Sequence, residues 1–74
     1  MRRRDIRESN ALKFLMREGK AFSLDLGTAA VAGEPLRRFG HRENLGMQIG
    51  ARFVKRGIAR LDKFNMFWWV PPAR

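Results

Sequence analysis

From Asn44 to Phe64 the chain reads NLGMQIGARFVKRGIARLDKF, without a proline and with apolar residues recurring at helical spacing. At about 100° per residue, Leu45, Met47, Ile49, Phe53, Val54, Ile58, Leu61 and Phe64 sweep one broad arc. Gln48, Arg52, Lys55, Arg56, Ala59, Arg60 and Lys63 fill the opposite arc, with Asp62 its one acid. Asn44 is a favoured N-cap residue, so the pattern predicts a long basic amphipathic helix over 44–66.

Gly46, Gly50 and Gly57 fall near the middle of the apolar arc, where each should cost about 0.8–1 kcal/mol against alanine in a helix interior. A missing side chain lets another backbone or a ring come close, so these three positions are expected to receive a partner element, either the first helix or a foreign subunit. Otherwise Gly57 is the place for a bend. On the polar side, Arg52, Arg56, Arg60 and Lys63, with Lys55 beside them, would form one row able to track successive phosphates.

The rest of the chain is less patterned. Residues 1–19 combine a basic arm, Arg2, Arg3 and Arg4, with a short helix predicted over Ile6 to Glu18; Asp5 and Glu8 have capping-box spacing and Gly19 offers a stop. In 20–43, Phe22, Leu24 and Leu26 alternate with smaller or polar residues, which fits a short strand or an extended segment lying on a partner. No second segment alternates as clearly, so a self-contained sheet is not expected. His41 sits where it would cap the long helix. Residues 67–74 read as an extended tail in which Pro71 and Pro72 follow Phe67, Trp68 and Trp69. Two adjacent indoles cannot both face inward from one side of a helix, so at least one should lie on something external.

The stretch Leu24-Asp25-Leu26-Gly27-Thr28 resembles the first phosphate loop of the actin and sugar-kinase ATPases. That resemblance implies a two-domain nucleotide-binding fold. Five residues without a second phosphate loop or an adenosine motif, in a chain this short, do not build one, and the match is read as coincidence.

Size and charge bound the function. Chains of 74 residues are hard to stabilise with a single core, and with no cysteine there is no disulfide or thiolate metal cage to help. Lone His41 cannot hold zinc unaided. Sixteen Lys and Arg against seven Asp and Glu leave +9, and twelve of the sixteen are arginine, whose planar guanidinium suits bidentate phosphate contact. No convergent nucleophile, base or paired carboxylates are visible, so no catalytic residue, cofactor or small-molecule substrate is expected.

These readings point to a mostly helical module that is not self-sufficient: short helix, extended middle, long basic helix, aromatic tail. It is expected to be a non-enzymatic subunit of a large assembly, foremost a ribosomal-type protein. The rRNA would lie on Arg2, Arg3, Arg4, Arg52, Lys55, Arg56, Arg60 and Lys63. Protein neighbours would lie on Gly46, Gly50, Gly57, Phe67, Trp68 and Trp69. An accessory subunit of an inner-membrane respiratory or ATP synthase complex, near an anionic membrane surface, is the second reading, and a free nucleic-acid-binding regulator the third. The Arg-rich amphipathic start favours a mitochondrial, matrix-side setting over the cytoplasm.

Overall fold

In the computed structural model, which describes residues 2–72, Gly57 decides where the long amphipathic pattern stops being a helix. It adopts φ 78°, a left-handed conformation that glycine takes without steric cost. Its N–H donates to the Val54 carbonyl and that of Ile58 to the Phe53 carbonyl, the paired bonds of a Schellman stop. The helix therefore ends at Lys55, and the chain turns back as a β-hairpin.

The elements are α1 (Arg3–Glu18), β1 (Lys20–Phe22), α2 (Ser23–Ala30), α3 (Phe39–Lys55), β2 (Ala59–Leu61) and β3 (Met66–Trp69). The strands form one antiparallel sheet in the order β1-β3-β2. α1 ends on Gly19, at φ 83°, whose N–H returns to the Leu15 carbonyl. The Gly19 carbonyl then accepts the Trp69 N–H at 2.9 Å, tying the first helix to the last strand. α2 begins where the Asp25 carboxylate accepts the Phe22 N–H at 3.0 Å, satisfying a donor that the helix start would otherwise orphan.

Hairpin formation rests on Asp62 and Asn65. Asn65 takes a left-handed φ of 64°, which asparagine tolerates well, and its N–H closes the turn onto the Asp62 carbonyl at 3.2 Å. The Asp62 carboxylate accepts the Phe64 N–H (2.8 Å), the Met66 N–H (3.0 Å) and the Trp68 indole N–H (2.8 Å). Those three donors hold its carboxyl below the usual carboxylate range, the Trp68 contact contributing most. In β3 successive side chains take opposite faces, so Phe67 and Trp69 turn toward the helices while Met66 and Trp68 turn away.

Ala11 and Leu15 of α1, Ala21, Leu26 and Ala30, Ile49 and Phe53 of α3, Ala59 and Phe67 make the core, with Leu12, Phe14, Leu45, Ile58 and Trp69 packed on its edge. Much of that core is alanine and glycine, and the elements pack close. At Gly46 a Cβ would land on the Ser23 carbonyl, at Gly27 on the Arg42 carbonyl, and at Gly50 on the Phe67 ring. The radius of gyration is 11.5 Å, against about 11 Å for a folded domain of this length.

This overturns the expectation of an extended chain without a fold of its own. Three helices and a three-stranded sheet close around an internal core. The helix predicted over 44–66 is α3 plus a hairpin, because Gly57 and the Asp62–Asn65 turn redirect the backbone. Of the extended stretch predicted over 20–43, only Lys20–Phe22 is strand, and LDLG lies inside α2 with Leu26 and Gly27 buried, not in a loop. The tail predicted over 67–74 supplies the central strand, and its last two residues lie outside the described ones. Asp5 and Glu8 form no cap: the N-cap of α1 is Arg2, and Glu8 pairs with Arg4 and Arg52. No described helix is long and apolar enough to cross a membrane.

Two measurements check this packing. The isolated chain should melt in one cooperative transition. Within it, Gly46→Ala should cost about 3 kcal/mol or more because the obstacle is backbone, whereas Gly50→Ala should cost about 1–3 kcal/mol because the Phe67 ring can shift. Denaturant unfolding with m-values compared between variants reads both.

One ion-pair cluster makes the fold acid-sensitive. Glu34, between α2 and α3, accepts two bonds from the Arg7 guanidinium at 2.7 and 2.9 Å and lies 3.6 Å from Arg37. Arg7 above all holds the Glu34 carboxyl down to about 2 from an ordinary 4.5, and the Arg7 guanidinium is raised in turn. A carboxyl depressed in the folded state takes up its proton later than the unfolded chain does. Its contribution is complete above about pH 4.5 and disappears toward about pH 2. Glu34→Gln should lower stability at neutral pH and flatten the loss across that window, as thermal melts between pH 7 and 2 would reveal.

Candidate nucleic-acid interface

α3 presents a surface with two different flanks. Its buried line is Gly46, Ile49, Gly50 and Phe53, set against α2 and Phe67. Opposite that line, His41, Asn44, Gln48, Ala51 and Lys55 are exposed, spaced by three, four, three and four, so they form one ridge along the helix. Asn and Gln present both a donor and an acceptor, the pattern that reads adenine in a major groove, and Ala51 offers a methyl group that suits thymine. No acidic side chain stands on this ridge.

Cations bracket it. Arg38 is the exposed N-cap of α3, Lys55 and Arg56 stand at the C-terminal end, and Lys63 occupies the hairpin turn with its ammonium 5.3 Å from the Phe64 ring centroid. None of these four forms an ion pair among the described residues. Three of the acids are paired with other cations: Glu8 with Arg4 and Arg52, Glu34 with Arg7 and Arg37, and Glu18 with Arg17, while Asp5, Asp25, Glu43 and Asp62 form no ion pair among the described residues. Cations without an ion pair among the described residues therefore stand at the α3 ends and in the hairpin, as they do at Arg2, Arg3 and Lys13.

The flank of α3 facing the hairpin is apolar. Phe22, Phe39, Met47, Val54, Leu61 and Phe64 line an open groove of about 720 Å³ between α3, the start of α2 and the hairpin. Glu43 is the only ionisable group in its lining.

The predicted row Arg52, Arg56, Arg60 and Lys63 is not assembled. Arg52 lies on the α1 side of α3 and pairs with Glu8, Arg56 is the C-cap, Arg60 sits on β2 and Lys63 in the turn, because the backbone reverses after Gly57. Lys55 remains on the exposed ridge. Arg3 and Arg4 belong to the first turn of α1, Arg4 lying 3.7 Å from Glu8, while Arg2 holds the N-cap position without a side-chain capping bond. The predicted glycine groove exists at Gly46 and Gly50 but is filled from within the chain, by α2 and Phe67; Gly57 is a stop with open space beside it. Phe67 is buried and Trp69 half-buried. Trp68 keeps 39% of its surface exposed.

Sequence reasoning passed over Arg38, His41, Asn44 and Gln48, having given Asn44 and His41 to capping. Their spacing carries the signal once the helix is started at Phe39. No family model matches this chain, and no curated protein or solved structure shows significant similarity to it.

Proposed function

We propose that this protein is a small, non-enzymatic nucleic-acid-binding module that lays α3 against a duplex. The observation that carries this reading is the ridge His41, Asn44, Gln48, Ala51 and Lys55, free of acids and bracketed by unpaired cations. Support also comes from the layout. α2 packs across α3 and a hairpin stands beside it, an arrangement like that of winged helix-turn-helix domains, in which the second helix of the pair enters the major groove. The α2–α3 connection, residues 31–38, is longer than the three- or four-residue turn of the simplest such pairs.

Roles divide by chemistry. Asn44 and Gln48 are the base-reading candidates, and Lys55, Arg56, Arg38 and Lys63 hold phosphates to either side. A chain with a core of its own needs no host to fold, and this favours the free regulator over the two assembly readings. The ribosomal-type reading, with rRNA and protein neighbours, keeps one observation in its favour: the groove at Phe39, Met47, Val54 and Phe64 would take an apolar segment of an adjacent subunit. Under that reading native sedimentation collapses on ribonuclease treatment. Under the duplex reading it does not change.

Fluorescence anisotropy with a mixed-sequence DNA duplex tests the leading reading. Binding should weaken steeply with salt, log K falling by about 0.9 per phosphate neutralised for each unit of log salt. Lys55→Ala should reduce that slope by about 1 and weaken all sequences alike. Asn44→Ala and Gln48→Ala should leave the slope intact and each cost about 1–3 kcal/mol on a selected site. No duplex binding at 50 mM salt by a folded chain would refute it.

A further inference from the structure

The outward face of the sheet carries a separate constellation that the α3 reading does not use. Trp68 lies on the central strand, and its direct cross-strand neighbours are Lys20 on β1 and Arg60 on β2. Neighbouring strands lie about 4.8 Å apart, so the two cations flank the indole on both sides. All three side chains are exposed, whereas Ala21, Phe67 and Ala59 point the other way into the core.

The ring is held in place rather than loose. Its N–H is bound to Asp62 at 2.8 Å, while the other oxygen of that carboxylate serves the turn backbone. The indole edge is therefore committed, and what it offers a partner is its π-face. The Lys20 ammonium already sits 5.2 Å from the ring centroid. An exposed cation–π contact is weaker than the stack of a base on an aromatic side chain. A base can thus displace the ammonium, which is then free to meet the adjoining phosphate.

We propose that Lys20, Trp68 and Arg60 form a stacking site for unpaired nucleotides, on the opposite side of the sheet from α3. The charge on this face selects the occupant. Lys20 and Arg60 both favour an anionic backbone, and the Asp62 carboxylate beside the ring is engaged in hydrogen bonds within the hairpin. Bases inside a duplex are stacked on each other and cannot present a face, so the site takes single strands, bulges or frayed ends. It holds independently of the duplex reading and would let one small module grip a junction between paired and unpaired strands.

Trp69→Phe leaves Trp68 as the sole indole. Titrating that variant with oligo-dT should quench its emission, while a blunt duplex of equal charge should not. Trp68→Leu, checked for folding by circular dichroism and melting, should weaken oligo-dT binding roughly 5- to 150-fold and leave duplex affinity unchanged, whereas Trp68→Phe should recover part of the loss. Asn44→Ala should show the converse pattern, so failure of the duplex reading and failure of this one are separable. Oligo-dT binding that persists in Trp68→Leu, or that leaves Trp68 emission unaltered, would mark a purely electrostatic contact and overturn the site. Quenching or a blue shift with anionic vesicles but not with oligo-dT would overturn it in favour of a lipid surface.

Discussion

Everything in this small fold hangs on how closely α3 can approach its neighbours. A 74-residue chain with no cross-link encloses few of its large side chains: among the described residues Phe53, Leu15, Leu26 and Ile49 are the large ones fully buried. Close approach offsets that shortage, because dispersion contacts fall away steeply with a gap of even half an ångström. Gly46 brings the Ser23 backbone against α3, Gly27 brings α2 against the Arg42 carbonyl, and Gly50 makes the seat for Phe67. The helical propensity lost at two α3 positions is returned as contact between backbone and backbone, or backbone and ring.

The same economy governs charge. With more than twice as many cations as acids, the chain cannot pair them all. Glu8 joins α1 to α3 through Arg52, and Glu34 joins α1 to the α2–α3 connection through Arg7. Both bridges gather on the α1 side. The α3 ends, the hairpin turn and the outer sheet face are left with Arg38, Lys55, Arg56, Lys63, Lys20 and Arg60, none of them in an ion pair among the described residues, as Arg3 and Lys13 of α1 also are not. Counter-ions held there are the ones a polyanion would release on binding.

How much of this could be read from the sequence depends on the element. α1 was legible nearly to its ends, because Leu12, Leu15 and Gly19 carry period and stop without a competing signal. The meaning of Gly46 and Gly50 was legible too, as close approach, though not that the visitor is α2 and Phe67 of the same chain. The hairpin was not. Its strands are three and four residues long, too short for alternation to outweigh a helical period that continues by chance through Ile58, Leu61 and Phe64. Gly57 and Asn65 were the available signals, since both positions need a left-handed backbone, but glycine within an amphipathic run reads equally well as a packing device. Misplacing that stop is what merged Arg60 and Lys63 into a row they do not form and hid the polar ridge that begins near His41.

The order of strands in the sheet has a temporal side. β3 is the central strand and also the latest in the chain, so β1 and β2 find no partner until residues 66–69 have left the ribosome. Until then Ala21 and Ala59 lack their cover, and the Gly50 seat stays empty. The helices pack largely on one another, but the sheet cannot assemble before this one late aromatic segment is present. A nascent chain paused before Phe67 would hold its arginines on an unfinished scaffold.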